Sequence, residues 1–162
     1  MQIRILKGAG RHTLSCVRKD GTVTRAVTGP GMPGHDLAHY VAETTLGLKG
    51  GFFDLVEEGR SLAELSDPDV LRTLPRESLT AEVFARALGA ATTGACRPDQ
   101  FIPMVREELA PGRMPEGLTE SVVADMVARV EALMARWAAT GEGHVLELEY
   151  PVPPSAGSST AD

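Results

Sequence analysis

Hydrophobic and polar residues alternate with a period of two near both ends of the chain and recur with a helical period between them. Ile3 and Ile5 share one face of Met1–Leu6, which reads as a strand. Residues His12–Arg18 and Thr22–Thr28 form two further β-rich runs around Lys19-Asp20-Gly21. Asp-Gly between such runs predicts a hairpin with a type I′ turn, whose two central residues both need positive φ. Arg18 and Arg25 interrupt the apolar alternation, so the turn is better defined than the register. Val145–Tyr150 alternates cleanly, with Leu146, Leu148 and Tyr150 on one face and Glu147 and Glu149 on the other. A strand that is half buried must pair, and the N-terminal hairpin is the sheet available to it. A small antiparallel sheet of three or four strands, joining the chain ends, is therefore expected.

The intervening sequence predicts five to six helices. Thr119 suits a helix N-cap, with Leu118 and Val123 as a hydrophobic staple. Val123, Met126, Val127, Val130, Met134 and Trp137 continue at helical spacing to Gly141, with Asp125 and Arg129 as an i,i+4 pair on the wet side. Leu79-Thr80 repeats that start, with Phe84 as staple partner and an end near Gly94. Ser61 with Glu64 forms a capping box, and Asp67-Pro68 places a cap before a proline at the first helical position. Another helix is expected from about Asp99 to Leu109. The class is α+β, in one domain over residues 1–150. Residues 151–162, PVPPSAGSSTAD, are too small and polar to offset ordering entropy and read as a disordered tail.

Composition narrows the function classes. The 162 residues carry a formal net charge of −6, which disfavours a nucleic-acid partner, since most such binding rests on cationic surface. No run of residues is apolar enough to span a membrane, and MQIRILKG lacks the core of a signal peptide. Cys16 and Cys96 stand without CxxC spacing and read as reduced thiols, so a cytoplasmic protein is expected.

One segment carries candidate chemistry. With the segment Gly34–Leu48 placed on a helix, Leu37, Tyr40, Val41, Thr44 and Leu48 cluster on a core face, and the candidate site falls on residues 34–46. His35, His39 and Glu43 lie on the opposite side at about 0°, 40° and 80°, and Asp36 adjoins them at about 100°. The spacing predicts two imidazoles and one or two carboxylates turned away from the core. His at i and i+4 can offer two nitrogens to one divalent ion, zinc being a natural choice. His35 and Glu43 stand about 12 Å apart along a helix, so the metal pair is His35/His39 or His39/Glu43. A third ligand must then come from elsewhere, with His12, His144, Glu57, Glu58, Glu107 and Glu108 as candidates. Glu43 is alternatively an acceptor that fixes the tautomer of His39. Asp36 or Glu43 is the candidate general base of a metal-dependent hydrolase.

Two resemblances bear on this segment. His35-Asp36-x-x-His39 resembles the zinc metallopeptidase pattern, in which the acid between two zinc-binding histidines is the general base, but has Asp where that pattern has Glu. The longer block His35-Asp36-Leu37-Ala38-His39-Tyr40-Val41-Ala42-Glu43, running into Leu46-Gly47-Leu48-Lys49-Gly50-Gly51-Phe52-Phe53, resembles a family of small bacterial proteins of uncharacterised function. MQIRILKG and the Leu146-Glu147-Leu148 strand are similar as well. The resemblance implies a bacterial, cytoplasmic protein and no particular activity. In the glycine-rich part, Gly47 or Gly50 is expected to end the helix, and the spacing fits no phosphate-binding loop. Ala38, Ala42 and Leu46 border the polar stripe, which suggests a cover: another helix of the chain, or a second copy in a homodimer. A non-catalytic interaction module built on this helix face is the alternative to a metal site.

Overall fold

The computed structural model describes residues 1–151. Of the expected tail, all but Pro151 lies outside the described residues. The architecture is α+β: a four-stranded antiparallel sheet, six α-helices and one 3₁₀ turn. The strands are β1 (Gln2–Lys7), β2 (His12–Val17), β3 (Val23–Thr28) and β4 (Val145–Glu149), in the order β3-β2-β1-β4. Ile3 pairs with Cys16 on one side and Leu148 on the other, and Ile5 likewise with Leu14 and Leu146. These six side chains are buried, so one register places every apolar alternation on the core face. The ends of the sheet also tie the chain ends together, for Tyr150 donates its N–H to Met1 O at 2.8 Å.

The hairpin between β2 and β3 differs from expectation in its turn. No residue but glycine among those described has positive φ, so Asp20 cannot occupy a type I′ position. Arg18 instead pairs with Thr22, and Gly21 at φ 85° closes a three-residue loop. Asp20 is held where it is by its own side chain, which accepts from the Thr22 N–H at 2.8 Å.

The helices are α1 (Met32–Leu46), α2 (Phe52–Glu57), α3 (Pro68–Leu71), α4 (Arg76–Thr92), α5 (Pro98–Glu108) and α6 (Glu120–Ala139). Several expected caps are present. Thr119 accepts from Val122 N–H, Asp67 accepts from Asp69 N–H, and Ser61 and Glu64 bond reciprocally. α4 begins four residues earlier than Thr80. Pro75 starts it from an extended conformation, and tertiary contacts hold the first turn: Ser78 Oγ donates to Gly50 O at 2.7 Å, and Arg113 pairs with Glu77. Thr80 is thereby an interior, buried residue, and Leu79 is half exposed rather than stapled. In α6, Leu133 rather than Met134 completes the buried stripe. Arg129 reaches across to the Thr44 and Thr45 hydroxyls of α1 instead of pairing with Asp125.

α1 packs against α2, α4 and α6. Ala38 and Ala42 on α1, with Ala81 and Ala85 on α4, are fully buried and let helices approach closely. The consequence corrects the sequence reading. Most of the polar stripe of α1 does not face away from the interior: Asp36, His39 and Glu43 are 3%, 5% and 1% exposed, and His35 alone stays partly open. Its cover comes from this same chain. No helix among the described residues is long and apolar enough to cross a membrane.

Candidate metal centre

The site is built from the middle of α1 and a single residue of α4. α1 is a regular helix through His35, His39 and Glu43; Pro33 occupies its first turn and Gly47, at φ 60°, terminates it. Each i,i+4 step therefore brings neighbouring polar groups together. The His35 and His39 rings meet edge to face with centroids 4.7 Å apart. Above them α4 places Glu82, whose Oε2 lies 3.1 Å from His39 Nε2 and 3.5 Å from His35 Nε2. One ligand atom from each of His35, His39 and Glu82 lies within 4.8 Å of the other two. Ligands around a tetrahedral zinc ion sit about 3.3 Å apart, from metal–nitrogen bonds of about 2.0–2.1 Å. Two of the three separations are already near that value.

The other ring nitrogen of His39 is committed. Nδ1 lies 3.1 Å from Glu43 Oε1. The Glu43 carboxylate is itself enclosed: its Oε2 accepts from Phe53 N–H at 3.0 Å, Asp54 N–H at 3.3 Å and the Tyr150 hydroxyl at 3.2 Å. Gly51 makes this possible. A Cβ there would stand 2.4 Å from Glu43 Cδ and 2.6 Å from Oε2. Gly51 has φ −70° and ψ 177°, which any residue adopts, so space and not backbone freedom explains the glycine. The Gly-Gly pair thus does accommodate an anion, namely the protein's own carboxylate, whose neighbours are the first amides of α2.

Electrostatics follow from this arrangement. Burial pushes the His39 ring down, but hydrogen bonds to Glu43 and Glu82 outweigh it and raise His39 to about 9 without a metal. Bonds from the two imidazoles hold Glu82 well below the usual carboxylate range. Asp36 is different: burial drives it up to about 6 against the pull of His35 and His39, and its Oδ2 has no hydrogen-bond partner. Burial likewise pushes the Cys16 thiol up to about 12, with the Asp36 charge adding to it. Both cysteines are free and buried.

Of the expected site residues, the structure brings His35 and His39 together and leaves Glu43 behind them, bonded to the far ring nitrogen of His39. Glu43 has no free oxygen with which to serve as a general base. Asp36 is buried beside the cluster. None of the six named third-ligand candidates takes part. His12 packs against Trp137 with ring centroids 4.8 Å apart, His144 Nδ1 lies 3.1 Å from Glu142 O, and Glu108 pairs with Arg86. The third group is Glu82. In sequence it reads as the exposed partner of Arg86 at i+4, an ion pair that is indeed present at 3.6 Å. Its only distinguishing mark is a place beside Ala81, Val83, Phe84 and Ala85, all buried.

The cluster opens into a cavity of about 900 Å³, whose walls include His35, Asp36, His39 and Glu82. None of the protein-family models, curated proteins or solved structures compared with the chain matches it. The functional reading therefore stands on this geometry.

Proposed function

We propose that His35, His39 and Glu82 bind a divalent metal ion, zinc in the first instance, as the centre of a metal-dependent hydrolase. The observation that carries the reading is the pairing of a three-atom donor set with an imidazole oriented from behind. A carboxylate on the far nitrogen of a metal-binding histidine fixes the tautomer and raises the basicity of the ligand nitrogen, which is the role the Glu43–His39 contact fits. Three protein ligands beside a cavity suit a catalytic ion better than a structural one, which is closed by four. A bound ion there supplies an activated water and a Lewis acid for a carbonyl or phosphoryl oxygen. Asp36 is the one carboxylate of α1 with an unpartnered oxygen, and the reading assigns it the handling of the proton. The reading also places the protein in the cytoplasm, where Cys16 and Cys96 stay reduced.

Metal analysis of untagged protein, dialysed after exposure to zinc, tests this. The expected result is one zinc per chain, with affinity falling at least about 100-fold in Glu82→Ala. Glu82 is 41% exposed at its side chain, so that variant removes a ligand without opening the core. Absence of stoichiometric zinc, or zinc held equally well by Glu82→Ala, overturns the assignment.

A further inference from the structure

The cavity beside the cluster is far larger than a water-filled metal site needs, and its volume falls in the range of small-molecule pockets. Its interior wall is aliphatic: Leu14, Leu55, Leu62 and Leu65 are all buried there. Its outer wall is aliphatic as well. Val27, Met32, Leu71 and Leu79 line it while 61%, 41%, 48% and 51% exposed. Half of the molecule's large exposed apolar side chains among the described residues thus gather at one cavity, where such a patch marks a binding surface.

The polar groups of the wall decide what kind of ligand fits. Thr28, Ser66 and Ser78 contribute hydroxyls, but Ser66 donates to Leu62 O at 2.8 Å, Ser78 to Gly50 O at 2.7 Å, and Thr28 Oγ1 lies 3.5 Å from His12 O; the exposed Arg76 adds a guanidinium at the outer wall. A sugar or a peptide backbone would lose its hydrogen bonds to water here and regain few. Phe52 is the single aromatic residue of the wall apart from the two imidazoles, so a stacked planar ligand finds little to stack on. The charged features of the wall are the cluster with Asp36 beside it and the Arg76 guanidinium, and both a bound ion and that guanidinium favour an anion. A divalent ion on two neutral imidazoles and one carboxylate keeps a net positive charge, which favours an anionic oxygen as its next ligand.

We propose that the cavity takes a single-chain aliphatic carboxylate, with its head group on the metal held by His35, His39 and Glu82 and its chain against the leucine wall. This rests on the metal reading above and adds the ligand class to it. The leucines set the length dependence and the ion sets the head-group preference, so the two parts are separable in one experiment.

Titration calorimetry of the zinc-loaded full chain with hexanoate, octanoate, decanoate and 1-decanol provides the test. Affinity should rise about fourfold per added methylene, as burial of about 0.8 kcal/mol per methylene requires. Decanoate should bind at least about tenfold more tightly than decanol, and removal of zinc with EDTA should abolish that preference. Leu79→Glu, at the half-exposed rim and outside the cluster, should weaken decanoate at least about tenfold with zinc stoichiometry unchanged. One zinc per chain with no dependence on chain length overturns the ligand class while leaving the metal centre standing. Equal binding of decanoate with and without zinc overturns the head-group assignment. Absence of zinc binding overturns both readings.

Discussion

His39 stands midway between two residues at equal helical spacing, and the two sides of it have opposite fates. Toward Glu43 the helix is sealed. The carboxylate meets two backbone amides, a tyrosine hydroxyl and an imidazole, and Gly51 passes too close for any side chain. Toward His35 it is open: His35 keeps 33% of its side chain exposed and Glu82 41%, and the cavity begins there. The same i,i+4 geometry produces a buried hydrogen-bonded anchor at one end and a partly exposed His35–His39–Glu82 cluster at the other. What differs is the cover. A short helix, a glycine and the residue after β4 close the Glu43 side, whereas on the His35 side α4 reaches the two imidazoles through the long side chain of Glu82 and leaves a cavity beside them.

Substitutions at the sealed side should therefore cost stability, and those at the open side should cost binding. The largest effect is expected of Glu43→Ala. It strands the Tyr150 hydroxyl, the His39 ring and two amides in the interior, and removing one partner from such a buried set costs about 3–5 kcal/mol. Glu82→Ala should shift the urea midpoint by less than about 1 kcal/mol equivalent, as suits a half-exposed ion pair. Equal losses in the two variants would erase the contrast. Gly51→Ala comes next, at about 1–3 kcal/mol, because the new methyl must displace the Glu43 carboxylate. Its backbone needs no adjustment, so a neutral result would mean that Glu43 does not press on that position.

A fourth substitution crosses from one side to the other. Glu43→Gln keeps the shape of the anchor but weakens its grip on His39 Nδ1. Zinc affinity should fall about 10–100-fold although Glu43 touches no metal. Isothermal titration with zinc measures it directly. A drop confined to folding stability would reduce Glu43 to a packing residue.

The contrast also marks what the sequence could reveal. The sheet was legible because Ile3, Ile5, Leu146 and Leu148 alternate in strict period two, and the pairing of the chain ends follows from a half-buried strand with one possible partner. The sharing of one helix by His35, His39 and Glu43 was legible for the same kind of reason, since spacing along a helix is local. Which side of that helix meets solvent was not. Ala38, Ala42 and Leu46 hinted at a cover, but tertiary packing, not the phase of α1, decides that α4 supplies it. Glu82 escaped because its local role, an i,i+4 partner of Arg86, is complete without any reference to α1. Asp20-Gly21 shows the limit at a smaller scale: the dipeptide located the turn, while the Asp20–Thr22 hydrogen bond selected the three-residue loop.

The last expected effect concerns pH and separates the metal-free from the loaded protein. Without metal, His39 between Glu43 and Glu82 is raised from 6.5 to about 9, as burial subtracts from what the two carboxylates add. A raised histidine stabilises the fold fully below its unfolded pKa and loses that contribution as pH climbs through the folded value. Metal-free protein should thus lose stability between about pH 6.5 and 9, and His39→Gln should show a flatter profile over the same interval. With zinc on Nε2 that nitrogen carries the ion in place of a proton, so the loaded protein should also be flat there. Denaturant midpoints at pH 6.5, 7.5 and 9 with zinc and with EDTA distinguish the cases. A slope that persists unchanged with zinc present would show that His39 still holds its proton, and that Glu82 closes the open side by hydrogen bonding alone.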